Sequence, residues 1–368
     1  MQKDEKHSKF FAFSLVDPAE EIEIPAYKEG TSRGKNYVTW GVDNLFPQAL
    51  FELANNSPTL SSIINGTVEL IKGQEIVVND KIHTFNGDLF YWPYINKYQD
   101  TFYDLAENLA RDYMTQGMFA IQVVYNKLGK IAELYHLPVE FIRMNEDKDT
   151  IWFNKKWGRY STNAIEYAAF DNNKDNSNKA QVFVYTNAGR RQVYGISPQI
   201  GCLEDLVSEN YAAKYIRKSL QNGLSARFIV DLPNTANLTD DQKADLEEGI
   251  IDKFTGWEHS GEFCLYFNNG DKEMKITKVD LDNSSEIFNS IRTAARNNIF
   301  VVNHATPQLF GDPSAATGFS EQEYDEAYKL YDKMTLTPIK SSISRSLNKI
   351  FRMEDSIKFE NKPVQNNA

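Results

Sequence analysis

In this 368-residue chain the tightest constraint on the fold lies in the last third, where two long amphipathic patterns flank a stretch of loop composition. From Asn283 the run NSSEIFNSIRTAARNNIFVV brings Ile287, Phe288, Ile291, Ala294, Ala295, Ile299 and Val302 onto one helical face. Glu286, Arg292 and Arg296 fall on the other face. The next stretch, NHATPQLFGDPSAATGF, contains Pro307, Gly311, Pro313 and Gly318 and reads as a connector. Ser320 then suits a helix N-cap, with Glu321 and Glu323 in the first turn, where the helix dipole favours negative charge. Tyr324, Ala327, Tyr328, Tyr331 and Met334 form a stripe up to Pro338 that resumes at Ile339, Ile343, Leu347, Ile350 and Phe351. One helix kinked at the proline accounts for both halves.

A second long helix is predicted upstream, over 202–220. Leu203, Val207, Tyr211 and Tyr215 make one row, Ala212, Ile216 and Leu220 the adjacent one, and Asn222 with Gly223 ends it. Acids come early (Glu204, Asp205, Glu209) and bases late (Lys214, Arg217, Lys218), as the dipole prefers. Between the two long helices lie a strand, SARFIVDL, a helix from Thr239 with Gln242 as capping-box partner, and strands GEFCLYFN and EMKITKVD around a turn at Asn269 and Gly270. Two long helices therefore bracket a small α/β insert.

The first two hundred residues read as a mixed α+β unit. Residues 1–44 mix charge, Gly30, Gly34 and Pro25 and suggest an extended arm. Leu45 to Leu53 is a helix, and Ser57 caps another with Pro58 in its first turn. Phe102, Leu105, Leu109 and Tyr113 mark a helix stopped by Gly117. MFAIQVVYN, IAELYHLP, VEFIRMN and TIWFNK read as antiparallel strands, and AQVFVYTN as another strand after the polar DNNKDNSNK, a surface loop or a disordered hairpin tip.

Charge and motifs narrow the function. With 51 acidic against 40 basic residues the net charge is −11, so tight sequence-independent binding of nucleic acid through a basic surface is not expected. No run is long and apolar enough to span a bilayer, and the N-terminus lacks a signal-peptide core, which suggests a soluble intracellular product with no membrane partner. Cys202 and Cys264 stand apart in apolar surroundings and read as core residues. His7, His83, His136, His259 and His304 show no metal-ligand spacing, so no metal and no cofactor is expected. GTSRGKN at Gly30 is one residue short of a phosphate loop, and GISPQ at Ser197 has a proline where a nucleophile elbow needs an N–H. Asp240, Asp241, Asp245, Glu247, Glu248 and Asp252 form an acidic helix, either a solvated face or a docking surface for a basic partner. No catalytic residue is assigned.

Several local signals recur in one order: Gly195, Ser197 and Pro198 before a long helix, Asn222-Gly223 at its end, the α/β insert, a second helix, and then Pro307, Leu309 and Gly311. This order, with LYHLPVEFIRM upstream, resembles the portal proteins of tailed bacteriophages, the head-to-tail connectors of long-tailed phages, over roughly Leu45 to Phe351. The resemblance implies an α+β portal-like fold with an arm (1–44), wing (45–201), first stem helix (202–222), clip (223–281) and second stem helix (282–302). A tunnel loop (303–319), a kinked wing helix (320–353) and a short tail or crown remnant (354–368) would complete it. It implies a dodecameric ring at a capsid vertex of the virion, assembled in the host cytoplasm, through which double-stranded DNA is packaged and ejected without tight binding. Implied partners are further copies of the chain, the terminase large subunit at the acidic clip helix, a head-tail adaptor, and the major capsid or scaffold protein. His304, Gln308, Leu309, Phe310 and Asp312 become candidates for the DNA-proximal loop. Glu286, Arg292 and Arg296 become channel-helix residues, and Pro338 the kink. The alternatives are another head-tail connector ring, or a metal-dependent nucleic-acid enzyme using carboxylates such as Asp104 and Asp112.

Overall fold

The computed structural model describes residues 10–12, 27–31, 36–78, 93–158, 163–171, 180–188, 192–221, 227–232, 239, 242, 245, 263–267, 275–279, 284–311, 321–354 and 357–360. The chain divides into two compact units, Met1–Glu23 with Ser208–Thr293, and Ile24–Val207 with Ala294–Ala368. The expected arm contributes strands to both. β1 (Phe10–Ala12) belongs to the first unit, while β2 (Glu29–Thr31) pairs with β3 (Val38–Trp40) in the second. The Glu29 carboxylate accepts from the backbone N–H groups of Val193 and Tyr194 at 2.8–3.0 Å, so this strand pair is tied to the backbone at 193–194.

Local chemistry sets the next helices. α1 (Phe46–Asn56) and α2 (Pro58–Lys72) meet at Ser57, whose hydroxyl accepts from Leu60 N at 3.0 Å while Pro58 takes the first turn. α2 buries Leu60, Ile63, Ile64, Val68 and Ile71 on one face and is followed by β4 (Glu75–Val78). α3 (Phe102–Gln116) opens with a reciprocal capping box between Thr101 and Asp104, and Gly117 ends it at φ 70°.

Six strands follow: β5 (Met118–Tyr125), β6 (Ile131–His136), β7 (Ile142–Met144), β8 (Thr150–Phe153), β9 (Ile165–Ala169) and β10 (Ala180–Thr186). They form one sheet in the order β6-β5-β10-β9-β8-β7. Two features differ from the sequence reading. β9, with its exposed Ile165 and Glu166, lacks a clear apolar alternation and was not predicted. It pairs with β10 in parallel, Gln181 opposite Ala168 and Val182 opposite Ala169, so the polar insert between them is not a hairpin tip, which would require antiparallel neighbours.

The core of the second unit contains a fully buried cation. Arg143 on β7 donates from Nε to Asn44 Oδ1 at 2.6 Å, from Nη1 to Ile142 O at 2.6 Å, and from Nη2 to Asn44 O. Its guanidinium lies 4.9 Å from the Trp157 ring centroid and 5.9 Å from that of Trp40, which stacks on Tyr194 at 4.3 Å. These acceptors are neutral amide oxygens, and burial pushes the Arg143 pKa down to about 10.

A pH-sensitive tie joins α3 to the sheet. Asp112 Oδ2 lies 2.8 Å from His136 Nε2 and accepts from Val139 N at 3.3 Å. Burial of the ring disfavours its charged form, yet the charge and hydrogen bond of Asp112, with the charge of Glu140, hold the His136 pKa above its ordinary value. Burial, and then the Asp112 charge, raise the Glu140 carboxyl. A raised histidine pKa gives stability that is complete below about pH 6.5 and is lost as pH rises through the folded value. The raised Glu140 carboxyl acts in the same direction. In denaturant melts the gap between wild type and His136→Gln should narrow from pH 6 to pH 8; a constant gap refutes the assignment.

α4 (Leu203–Gln221) follows a 3-10 turn at Pro198–Cys202 and buries Leu203, Leu206, Val207 and Ala212. The next strands are β11 (Arg227–Leu232), β12 (Phe263–Phe267) and β13 (Lys275–Val279), in a sheet ordered β1-β12-β11-β13. β12 and β13 are not a hairpin across Asn269 and Gly270, as the sequence suggested; β11 lies between them, parallel to β12 and antiparallel to β13. The apolar run in RFIVDL suits a strand with neighbours on both edges. The Thr239–Gln242 capping box is present, Thr239 N donating to Gln242 Oε1 at 3.1 Å and Gln242 N to Thr239 Oγ1 at 3.3 Å.

α5 (Ser284–Val302) returns the chain to the second unit. α6 (Glu321–Tyr331), a π-helical turn at Asp332–Leu336 and α7 (Thr337–Phe351) form the last long helix. Pro338 is exposed and sits in the first turn of α7, so the irregularity precedes it. Proline has no N–H for the carbonyl of Met334 and its ring crowds that carbonyl, and a widened turn relieves both. α7 buries Ile339, Ile343, Leu347, Ile350 and Phe351. Beyond it, β14 (Ile357–Glu360) pairs antiparallel with β4, so part of residues 354–368 is a strand paired within the second unit.

Candidate functional site at the root of the long helices

The 3-10 turn that leads into α4 packs on the end of α3 and joins the end of α5, while the loop after α5 lies against α2 and α6. At the C-terminus of α3 two backbones cross so closely that only glycines fit. A Cβ on Gly117 would stand 2.1 Å from Ile196 O, and one on Gly195 2.7 Å from Gly117 O. Asn187 clasps the crossing, accepting from Ile196 N at 2.8 Å and donating to Ile196 O at 2.9 Å. Ser197 donates to Thr115 O at 2.6 Å and accepts from Gln199 N at 3.0 Å.

This turn presents Gln199 to the end of α5. Gln199 Nε2 donates to Asn303 Oδ1 at 2.8 Å, and Asn303 Nδ2 returns a bond to Gln199 Oε1 at 3.1 Å. Gln199 also reaches Met114 O at 3.0 Å, and Asn303 reaches Ile299 O at 2.9 Å. Both amides are buried, so these bonds satisfy groups that would otherwise be costly to bury. Nearer the surface, Asn298 Nδ2 donates to Asp205 Oδ1 at 3.0 Å, linking α5 to the first turn of α4 again.

The chain leaves α5 through His304, in the left-handed region at φ 52°, and makes a 3-10 turn at Pro307–Phe310 that ends on Gly311 at φ 77°. Of the loop candidates, His304 and Gln308 are exposed and Leu309 is half-buried. Phe310 lies edge-on to Tyr331, centroids 5.1 Å apart, rather than projecting free. Asp312 lies outside the described residues. On α5, Arg292 is exposed and Arg296 half-buried, and the Glu286 side chain lies outside the description. Of the acids expected on a docking helix, Asp245 is exposed, while Asp240, Asp241, Glu247, Glu248 and Asp252 are outside the described residues.

Nothing in this arrangement forms a nucleophile. The Ser197 hydroxyl is committed to a backbone carbonyl, and burial pushes the Cys202 thiol up to about 12. Sequence reasoning missed Gln199 and Asn303, since a buried amide leaves no periodic signal.

Residues 95–365 match the family described as phage portal protein. The chain belongs to the phage portal protein family. No curated protein matches it. Among solved structures, the neck of an empty gene transfer agent particle computed with C6 symmetry aligns with TM-score 0.56 at 15% identity, over 88% of this chain and 87% of that one. The neck of the native particle computed with C12 symmetry gives 0.52 at 15%, covering 87% and 85%. The crystal structure of an HK97-family phage portal protein from Corynebacterium diphtheriae gives 0.55 at 13%, covering 84% and 94%. At these identities the likeness is one of fold.

Proposed function

We propose that this portal-family chain forms a homo-oligomeric ring, a dodecamer at a capsid vertex, that serves as a conduit for double-stranded DNA and performs no catalysis. The reading rests on the family match over residues 95–365. In it, 1–44 is the arm, 45–201 the wing, 202–222 and 282–302 the stem helices, 223–281 the clip, 303–319 the tunnel loop, 320–353 the wing helix and 354–368 the tail. Exposed apolar side chains support ring closure: Tyr211 on α4, Ile291 and Val301 on α5, and Tyr324, Leu330 and Met334 on the last helix. In a closed ring such faces are covered by the next copy. The acidic chain suits a channel through which DNA slides, because a lining that gripped phosphates would hold it. On this reading Arg292 and Arg296 either stack as positive belts or pair with acids of the adjacent copy, His304 and Gln308 stand nearest the duplex, and the acidic clip helix docks the terminase motor. A head-tail adaptor and the capsid or scaffold protein bind other faces.

Light scattering with negative-stain imaging tests the ring, and the same particles test the clip. The purified chain should give wide-holed rings, and Glu247→Lys with Glu248→Lys should leave the rings intact while weakening terminase binding. A monomer with metal-dependent nuclease activity would overturn the reading in favour of an enzyme. Rings that bind terminase equally well with and without the charge swap would overturn the docking assignment alone.

A further inference from the structure

Gly66 lies in the interior of α2, where helix propensity argues against glycine. Its neighbour explains it: a Cβ there would stand 2.7 Å from both Cδ1 and Cε1 of Phe310. The Phe310 ring therefore sits against bare helix backbone on one side. On another side it meets the Tyr331 ring edge-on at 77°. Ser62 Oγ, one turn earlier on α2, donates to Phe310 O at 3.3 Å. Tyr331 is itself fixed to α2, with its hydroxyl 2.6 Å from Thr67 Oγ1. Thr67 gives its own proton to Ile63 O at 2.6 Å, so the Tyr331 hydroxyl is the donor in that pair.

The π-helical turn makes this possible. It adds one residue between Tyr331 and α7, and one residue in a helix turns the following face by roughly 100°. Tyr331 can then face Thr67 while Ile339, Ile343 and Leu347 face the core.

We propose that Phe310 and Gly66 form a latch that fixes the end of the 303–311 segment to α2 and α6, making Phe310 a positioning residue for the tunnel loop and not a residue that meets DNA. The functional importance of that position rests on the proposed tunnel-loop reading; the latch itself does not. Its chemistry is shape: a ring in a gap that only glycine leaves open, closed by a hydrogen-bonded tyrosine.

Amide hydrogen exchange on the full-length protein tests it, with Gly66→Ala, Phe310→Ala and the double variant. Helix propensity alone would make Gly66→Ala protective. The latch predicts the opposite, exchange at residues 308–311 faster by about tenfold, with Phe310→Ala the same and the double variant no faster than Phe310→Ala. Phe310→Leu, which keeps part of the apolar contact, should restore part of the protection, and unchanged exchange elsewhere on α2 marks a folded wing. Unchanged exchange at 308–311 in Gly66→Ala, or additive effects in the double variant, overturns the latch. If exchange follows the prediction while the protein fails to form rings, the latch stands and the portal-ring reading fails.

Discussion

Gly117→Ala should lower the melting temperature of the protein by about 10 °C, corresponding to a loss of roughly 4 kcal/mol. Two costs add at this position. Gly117 has φ 70°, which a side-chain-bearing residue adopts at a penalty, and its Cβ would stand 2.1 Å from Ile196 O. That oxygen is backbone and cannot rotate away. To make room, the 195–199 turn must shift, and with it the Ser197–Thr115 bond and the Gln199–Asn303 pair that root α4 and α5. Gly73→Ala is the matched control, since its Cβ would meet only ordinary contacts at 3.5 Å and its φ is −65°. Calorimetry on both variants decides: if Gly117→Ala melts with the wild type, the crossing is looser than described.

Arg143→Ala should cost about 4 kcal/mol, by a different route. The substitution leaves a space between Trp40 and Trp157 and removes the donors to Asn44 Oδ1, Asn44 O and Ile142 O. Arg143→Met separates these terms, because it fills much of the volume and supplies no donor. It should recover only a minor part of the loss if the hydrogen bonds dominate. Arg143→Lys keeps a charge but offers one ammonium where the guanidinium reaches several oxygens, and it yields its proton more readily when buried. Equilibrium denaturation that ranks Arg above Lys and Met, with Ala last, is the expected order. A methionine variant as stable as wild type would show that packing alone holds this part of the core.

The elements legible in the sequence were those specified by neighbours a few residues away. Ser57 with Pro58, and Thr239 with Gln242, mark helix starts because a cap needs only its own first turn. The stripe from Ile339 to Phe351 marks a buried face because helical period is local. What failed depended on distant partners. β9 is a strand because β8 and β10 lie beside it, and its exposed side chains carry no alternation to reveal that. β12 and β13 follow one another with an Asn-Gly pair between them in sequence, which favoured a hairpin, yet β11 takes the place between them. The seat of Phe310, a candidate of the DNA-proximal loop, was not legible either, because it is made by Gly66 and Tyr331, far away in sequence. Gly66 was the available signal, a glycine inside a helix whose pattern gave it no reason to be there.

The buried amide pair at the helix roots has a bearing on robustness to solution conditions. Gln199 and Asn303 carry no formal charge at any ordinary pH, and their bonds are enclosed by protein. Debye screening, which weakens exposed ion pairs as salt rises, has almost no purchase on them. The exposed acidic exterior will respond to counterions, while the joint between the turn before α4 and the end of α5 keeps the same strength in dilute buffer and in concentrated salt.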